Sequence, residues 1–164
     1  MKIVISENQY QRLIEAKEEK KVLHIPSLKL FSNDWFLLQK FLERRGNPPY
    51  SIGGDLVLEK KPVESLGNLQ SVGGSLFLPR TPIKSLGNLT SVGGNLDLMD
   101  TPIKSLGNLQ SVGKGLYLAY TPIESLGNLQ SVGKGLYLRK TPLSKMYTRE
   151  QIREMVNVEG DIYL

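Results

Sequence analysis

The pentapeptide SLGNL begins at Ser65, Ser85, Ser105 and Ser125, so one phrase returns every twenty residues through the middle of the chain. A period this short and this strict constrains folding more than composition does, because whatever one phrase forms must stack against copies of itself. Aligned on the apolar residue before the glycine, the register runs Ile52, Val72, Val92, Val112 and Val132. A last equivalent, Val158 in NVEGDIYL, follows after twenty-six residues instead of twenty.

Within one phrase the apolar residues are Val92, Leu96, Leu98, Ile103, Leu106 and Leu109, with gaps of four, two, five, three and three. Neither a helix nor a long strand keeps that spacing on one face. A coil that turns corners does. Asn95-Leu96-Asp97-Leu98 alternates as a strand should, while Gly93, Gly94, Pro102, Gly107 and Asn108 supply bends. One turn cannot bury its apolar edge alone, but stacked turns share a continuous core with parallel strands in register. The predicted fold is therefore a repeat solenoid, a parallel β-strand coil of about six turns whose end strands lie roughly 24 Å apart.

Three regions follow: residues 1–50 as a helical region and solenoid cap, 51–143 as the repeats, and 144–164 as an inserted helix and final strand. In the first, Ser6 and Gln9 stand at capping-box spacing before a helical stretch reaching about Lys21, with Tyr10, Leu13 and Ile14 on one face. A second helix is expected after Asn33 or Asp34, with Trp35, Leu38, Phe41 and Leu42 facing the core and Gly46 as its stop. In the third region Thr148 and Gln151 again have capping-box spacing, and Ile152, Met155 and Val156 are expected to close the other end. Exposed end turns need such caps, since they present apolar cross-section and unpaired strand edges.

Composition narrows the function classes. The chain has 164 residues and no cysteine, so disulfides, thiolate nucleophiles and thiolate metal sites are excluded. The net charge of +5 divides as +3, +3 and −1 over 1–50, 51–143 and 144–164, without the concentrated basic stripe of a nucleic-acid binder. No apolar run is long enough to span a bilayer, and MKIVISENQY lacks the apolar core of a secretory signal. The expectation is a soluble, non-secreted protein, with Asn88-Leu89-Thr90 an incidental sequon. His24 is the only histidine, so no multi-histidine metal site can form, and packing or surface placement is expected of it. Gly113-Lys114-Gly115 and Gly133-Lys134-Gly135 lack the spacing of a phosphate loop and precede strands. Asp97 with Asp100 is the one close acidic pair on the varied face, read as solvated and not as hydrolytic. No enzyme activity and no cofactor are expected.

GGNLDLMDTPIKSL is similar to the LxLxxNxL consensus of the leucine-rich-repeat family, with threonine in place of the usual asparagine. The resemblance spans residues 52–143 in full and 158–164 in part. It implies a parallel-strand solenoid that binds other proteins, in a short class similar to bacterial forms with extended backs. The VGG turn before each strand also resembles receptor L-domain β-helices. Short LxLxxTPI repeats ending in a GDIYL strand look like repeat proteins of large tailed phages and their hosts, a resemblance that implies a place in the cytoplasm of a bacterial or infected host cell or in a virion. Leu13-Ile14-Glu15-Ala16 is similar to the cleavage pattern of head-maturation proteases in large myoviruses.

Comparing the turns with each other locates the variation. Leu76, Leu96, Leu116 and Leu136 never change, and Thr81, Thr101, Thr121 and Thr141 are expected to form a hydrogen-bond ladder at their corner. Glu64, Lys84, Lys104 and Glu124 are expected to pair across neighbouring turns. Between the inward leucines stand Val57, Phe77, Asp97, Tyr117, Tyr137 and Tyr163, and just beyond them Lys60, Arg80, Asp100, Tyr120 and Lys140. Varied side chains on a fixed scaffold are how repeat proteins build recognition. Phe77, Arg80, Asp97, Asp100, Tyr117, Tyr120, Tyr137 and Lys140 are thus the candidate contacts to a partner protein, and the final strand edge is a candidate for self-association. An alternative is a structural virion or internal head protein in which the solenoid is a rigid block.

Overall fold

The computed structural model describes residues 6–8 and 21–164. Apart from residues 6–8 at its start, the expected first helix lies outside them, as do Gln9 of its capping box and the Leu13–Ala16 pattern. The rest is a parallel β-solenoid with two sheets running along its length. One, called here the valine sheet, is seven-stranded: β1 (Leu23–Ile25), β2 (Tyr50–Ile52), β4 (Leu69–Val72), β6 (Ser91–Val92), β8 (Ser111–Val112), β10 (Ser131–Val132) and β12 (Asn157–Val158). The other, the leucine sheet, has six: β3 (Leu56–Val57), β5 (Leu76–Phe77), β7 (Leu96–Asp97), β9 (Leu116–Tyr117), β11 (Leu136–Tyr137) and β13 (Ile162–Tyr163). All pairs are parallel, and each repeat pairs with its own equivalent: Leu76 with Leu96, Leu96 with Leu116, Leu116 with Leu136.

The invariant residues are those the coil demands. The inward-facing leucines, valines and isoleucines of every turn are buried in one continuous core, while Val57 stands on the outer face. Gly73, Gly93, Gly113 and Gly133 form a column in which a Cβ on one would run into the carbonyl of the glycine one turn back. At these four positions a side chain would force neighbouring turns apart. At the SLGNL corner Gly67, Gly87, Gly107 and Gly127 take positive φ of 56° to 60°. Each of their N–H groups donates to the serine hydroxyl two residues earlier, as in Gly87 to Ser85 Oγ at 3.0 Å. Serine and glycine together therefore define that bend.

The threonine column is buried, as expected of a fixed position, but its hydrogen bonds correct the ladder. Each hydroxyl donates within its own turn, Thr81 to the Leu78 carbonyl at 2.8 Å and Thr101 to the Leu98 carbonyl at 2.7 Å. A Thr Oγ lies too near the carbonyl three residues back to reach for the next turn, so it closes its own bend. A cross-turn chain does form at the asparagines, where Asn68 Nδ2 donates to the Asn47 carbonyl and Asn88 Nδ2 to Asn68 Oδ1. The expected Glu64/Lys84 and Lys104/Glu124 pairs do not form: among the described residues the ion pairs are Lys60–Glu59, Arg80–Glu59 and Arg80–Asp100.

Both ends carry helices in the same place of the coil. Helix α1 (Trp35–Glu43), capped by Asp34 on Phe36 N and Leu37 N, stands between β1 and β2 and buries Trp35, Leu38 and Leu42. Phe41 is half-buried against Phe31 instead of joining them. At the other end two helices stand where one was expected, α2 (Leu143–Met146) and α3 (Arg149–Met155), the second opened by the Thr148/Gln151 capping box. Ile152 and Val156 are buried there, while Met155 is 48% exposed. Each insertion replaces the back corner of an end turn and seals the corner of its neighbour. Buried Tyr50 donates its hydroxyl to the Leu66 carbonyl at 2.8 Å and accepts from Gln39 of α1, and Leu143, Tyr147 and Met155 lie beside Leu126 and Leu129. Burial pushes the Tyr50 phenol far above its ordinary pKa, so it stays a donor.

The strand β1 is an addition to the expected architecture. His24 lies opposite Ser51, and the Ile25 and Pro26 carbonyls take the Gly53 and Gly54 N–H groups.

Candidate functional site

The outer face of the leucine sheet holds two columns. In the first, parallel register aligns Val57, Phe77, Asp97, Tyr117, Tyr137 and Tyr163. The second column, Lys60, Arg80, Asp100, Tyr120 and Lys140, occupies the next bend of successive turns and is exposed throughout. All eight candidate contact residues thus stand on one face.

The first column changes character midway. Through its early turns a polar side chain bridges each turn to the next: Asp55 Oδ1 accepts from Ser75 N at 2.7 Å, Ser75 Oγ from Asn95 N at 3.1 Å, and Asn95 Oδ1 from Gly115 N at 2.9 Å. At Gly115 and Gly135 the bridging side chain is gone, and a tyrosine ring fills its place. A Cβ at either glycine would meet the ring of Tyr117 or Tyr137 at 2.9 Å. From there Tyr117, Tyr137 and Tyr163 stack face to face, centroids 4.5 Å apart and planes within 7° and 4°. Burial and the neighbouring Tyr137 hold the Tyr117 phenol above its ordinary range.

Upstream of the stack lies a shallow mixed pocket lined by Val57, Glu59, Phe77, Arg80, Asp97 and Asp100, among others. Arg80 sits between Glu59 at 3.9 Å and Asp100 at 3.6 Å. Among the described residues Asp97 has no ion pair, and its Oδ1 accepts from Met99 N at 3.0 Å. Its pKa is raised chiefly by desolvation, with Glu59 and Asp100 adding to the shift and the Met99 bond and Arg80 opposing it. Of the three carboxylates, Glu59 and Asp100 flank the Arg80 guanidinium.

The second column has a backbone signature. Lys60, Arg80, Asp100, Tyr120 and Lys140 all take φ between 55° and 61°. They are the third residue of a bend closed by the N–H of the next residue, Lys61 in the first turn and threonine in the other four, as in Thr81 N to the Leu78 carbonyl at 3.3 Å. Glycine or asparagine is the usual occupant of such a position, because a Cβ is strained there. The chain uses glycine at its other positive-φ corner in every repeat and never at this one. That contrast is visible only once φ is known, since a charged residue or tyrosine before Lys-Pro or Thr-Pro does not announce a left-handed turn.

The face of the valine sheet is uniform. Ser71, Ser91, Ser111 and Ser131 with the glycine column line a long smooth groove. His24 Nδ1 stands 3.0 Å from Ser51 Oγ at its start, a pairing the sequence reading missed because β1 was not recognised. Among the described residues no carboxylate orients this histidine, so the pair lacks the third member of a triad. Nor, among them, is any group of three or more His, Asp or Glu placed to hold a metal ion, and no helix is long and apolar enough to cross a membrane.

Compared with known proteins, the chain matches no family model, no curated sequence and no solved structure.

Proposed function

We propose that this protein is a recognition module without catalytic activity that engages a partner protein through the outer face of its leucine sheet. The observation that carries the reading is the second column. Five consecutive turns hold a side chain in left-handed backbone, where glycine would fold more easily, and all five are exposed. Strain kept at a solvent-facing position with varied chemistry is what a recognition surface leaves behind. Phe77, Asp97, Tyr117 and Tyr137 supply the floor, and Arg80, Asp100, Tyr120 and Lys140 the projecting contacts. The regular parallel coil and its inward leucines are compatible with a leucine-rich-repeat protein, and the phage or bacterial origin suggested by the TPI repeats belongs to the same proposal.

The test exploits the strain. A chain carrying Arg80→Gly, Asp100→Gly, Tyr120→Gly and Lys140→Gly keeps its core and should melt at a higher temperature. Affinity capture from source-cell lysate with both chains, read by mass spectrometry, should show a partner retained by the natural chain and lost by the more stable variant. A partner set indifferent to the substitutions would remove this face from recognition. One observation favours the second reading, a rigid structural block in a virion: the tyrosines pack on Gly115 and Gly135 and on each other, which stiffens the sheet whatever it touches. In that case the protein should be found in purified particles.

A further inference from the structure

Helix α1 is apolar on two sides. Its core side buries Trp35, Leu38 and Leu42, yet Phe36 and Leu37 remain 48% and 47% exposed, and Leu30 just upstream 68%. A helix apolar nearly all round is normally covered on every side. Between the 3-10 turn Leu28–Phe31 and the outer side of α1 runs a groove of about 260 Å³ with Phe31, Leu37 and Phe41 as its floor. Its rim is wholly cationic: Lys40, Arg44 and Arg45. The Arg45 guanidinium lies 3.7 Å from the Phe41 ring centroid, and among the described residues none of the three pairs with a carboxylate.

We propose that this groove is a second docking surface, fitted to an acidic amphipathic segment of a partner protein. The apolar floor takes side chains spaced along one face of a helix, and the carboxylates of the segment meet Lys40, Arg44 and Arg45. Charge complementarity selects the occupant. Over residues 21–50 five cations, Lys21, Lys29, Lys40, Arg44 and Arg45, stand against two carboxylates, Asp34 and Glu43. The concave floor favours inserted side chains over a flat lipid surface. This surface is separate from the leucine sheet and does not depend on the reading given for it.

The probe is a labelled peptide with leucines at i, i+3 and i+7 and glutamates elsewhere, titrated against the full chain by fluorescence anisotropy. Saturable binding is expected, weakened about tenfold or more by Leu37→Ser and separately by Arg44→Glu, each loss larger than most interface residues give. Both side chains are exposed, and unchanged melting of the variants excludes unfolding. Three results overturn the proposal. Equal binding of a lysine-for-glutamate peptide would show that charge does not select. Binding to phosphatidylserine vesicles with none to the peptide would assign the surface to a membrane. Binding that appears only in a full chain carrying Leu13→Ser and Ile14→Ser would assign the groove to the leading residues of this chain.

Discussion

Two kinds of positive-φ residue divide the work of bending the coil, and they make opposite predictions. Gly87 has open space around an added Cβ, its nearest neighbour being the Gly67 carbonyl at 3.5 Å, so Gly87→Ala isolates the conformational cost. It should lower stability by about 1–2 kcal/mol, the penalty of left-handed backbone for an L side chain. Tyr120→Gly should raise it by about 0.5–1 kcal/mol, the relief being partly offset by the greater freedom of glycine in the unfolded chain. Asp100→Gly should gain least, because aspartate tolerates that conformation and Asp100 also meets Arg80. Urea melts of the three variants decide the matter, and a loss on Tyr120→Gly would mean the ring is held by the fold. Asp97 gives a pH-dependent case. Its folded pKa is raised, so the folded chain binds its proton more tightly than the unfolded chain does. Its favourable contribution is complete below the unfolded value of about 3.9 and is lost as pH rises through the folded pKa. Asp97→Asn keeps the acceptor for Met99 N, so it should melt higher than the natural chain at neutral pH, with the gap closing toward pH 3. Parallel melting curves across that range would show that the carboxylate is solvated after all.

At the scale of elements, the caps depend on single polar groups joining a helix to a turn. Tyr50 links α1, through Gln39, to the Leu66 carbonyl of the first SLGNL corner. Tyr50→Phe leaves that buried carbonyl without its hydroxyl partner and should cost about 1–3 kcal/mol. Amide exchange should then rise first in α1 and residues 65–69, whereas uniform loosening would mean that the cap does not open separately. These elements also divide what was legible in the sequence from what was not. The repeats were readable because identical phrases must stack identically: once Val92 pairs with Val112, every inward leucine and every outward Phe77, Asp97 or Tyr117 follows from period-two alternation. The strand β1 was not readable, because Ile25 precedes its partner Ile52 by twenty-seven residues and Pro26-Ser27 replaces the glycine pair. The two columns were readable as positions, but their physics was not. Nothing in the string PRTP, MDTP or AYTP reveals left-handed backbone, and the exchange of Asn95 for Gly115 makes sense only when the ring of Tyr117 is seen over the vacated place. The threonine ladder failed for a local reason, since a hydroxyl within reach of its own turn has no need of the next.

At the scale of the whole molecule, a solenoid of parallel strands has two open ends, and each is an invitation to pair with another chain. At the carboxyl-terminal end the answer lies in α3. Arg149 Nε donates to the Ile162 carbonyl at 2.8 Å, and Arg153 reaches the Val158 and Gly160 carbonyls at 2.6 and 2.7 Å. Asp161 and Tyr163 turn their carbonyls back to accept from Leu136 and Leu138, so Val158 and Ile162 hold groups that face away from the stack. The arginines therefore sit where the backbone of a further turn would donate, and a second copy adding there must displace them. Charged bonds of this kind contribute about 1.5–3 kcal/mol each, enough to outweigh the few hydrogen bonds of a two-residue strand. The sequence reading left self-association at this edge open, and the geometry turns it into an experiment. Arg149→Ala with Arg153→Ala, leaving Ile152 and the capping box intact, should convert a chain of constant mass into one whose mass by light scattering rises with concentration. The open face of the Tyr163 ring, 44% exposed, offers the stack a place to continue, so adding Tyr163→Ser to the pair should reverse the effect. A double variant that keeps both its fold and its natural mass at every concentration would mean that the edge is closed by the shape of α3, with the arginines incidental to it.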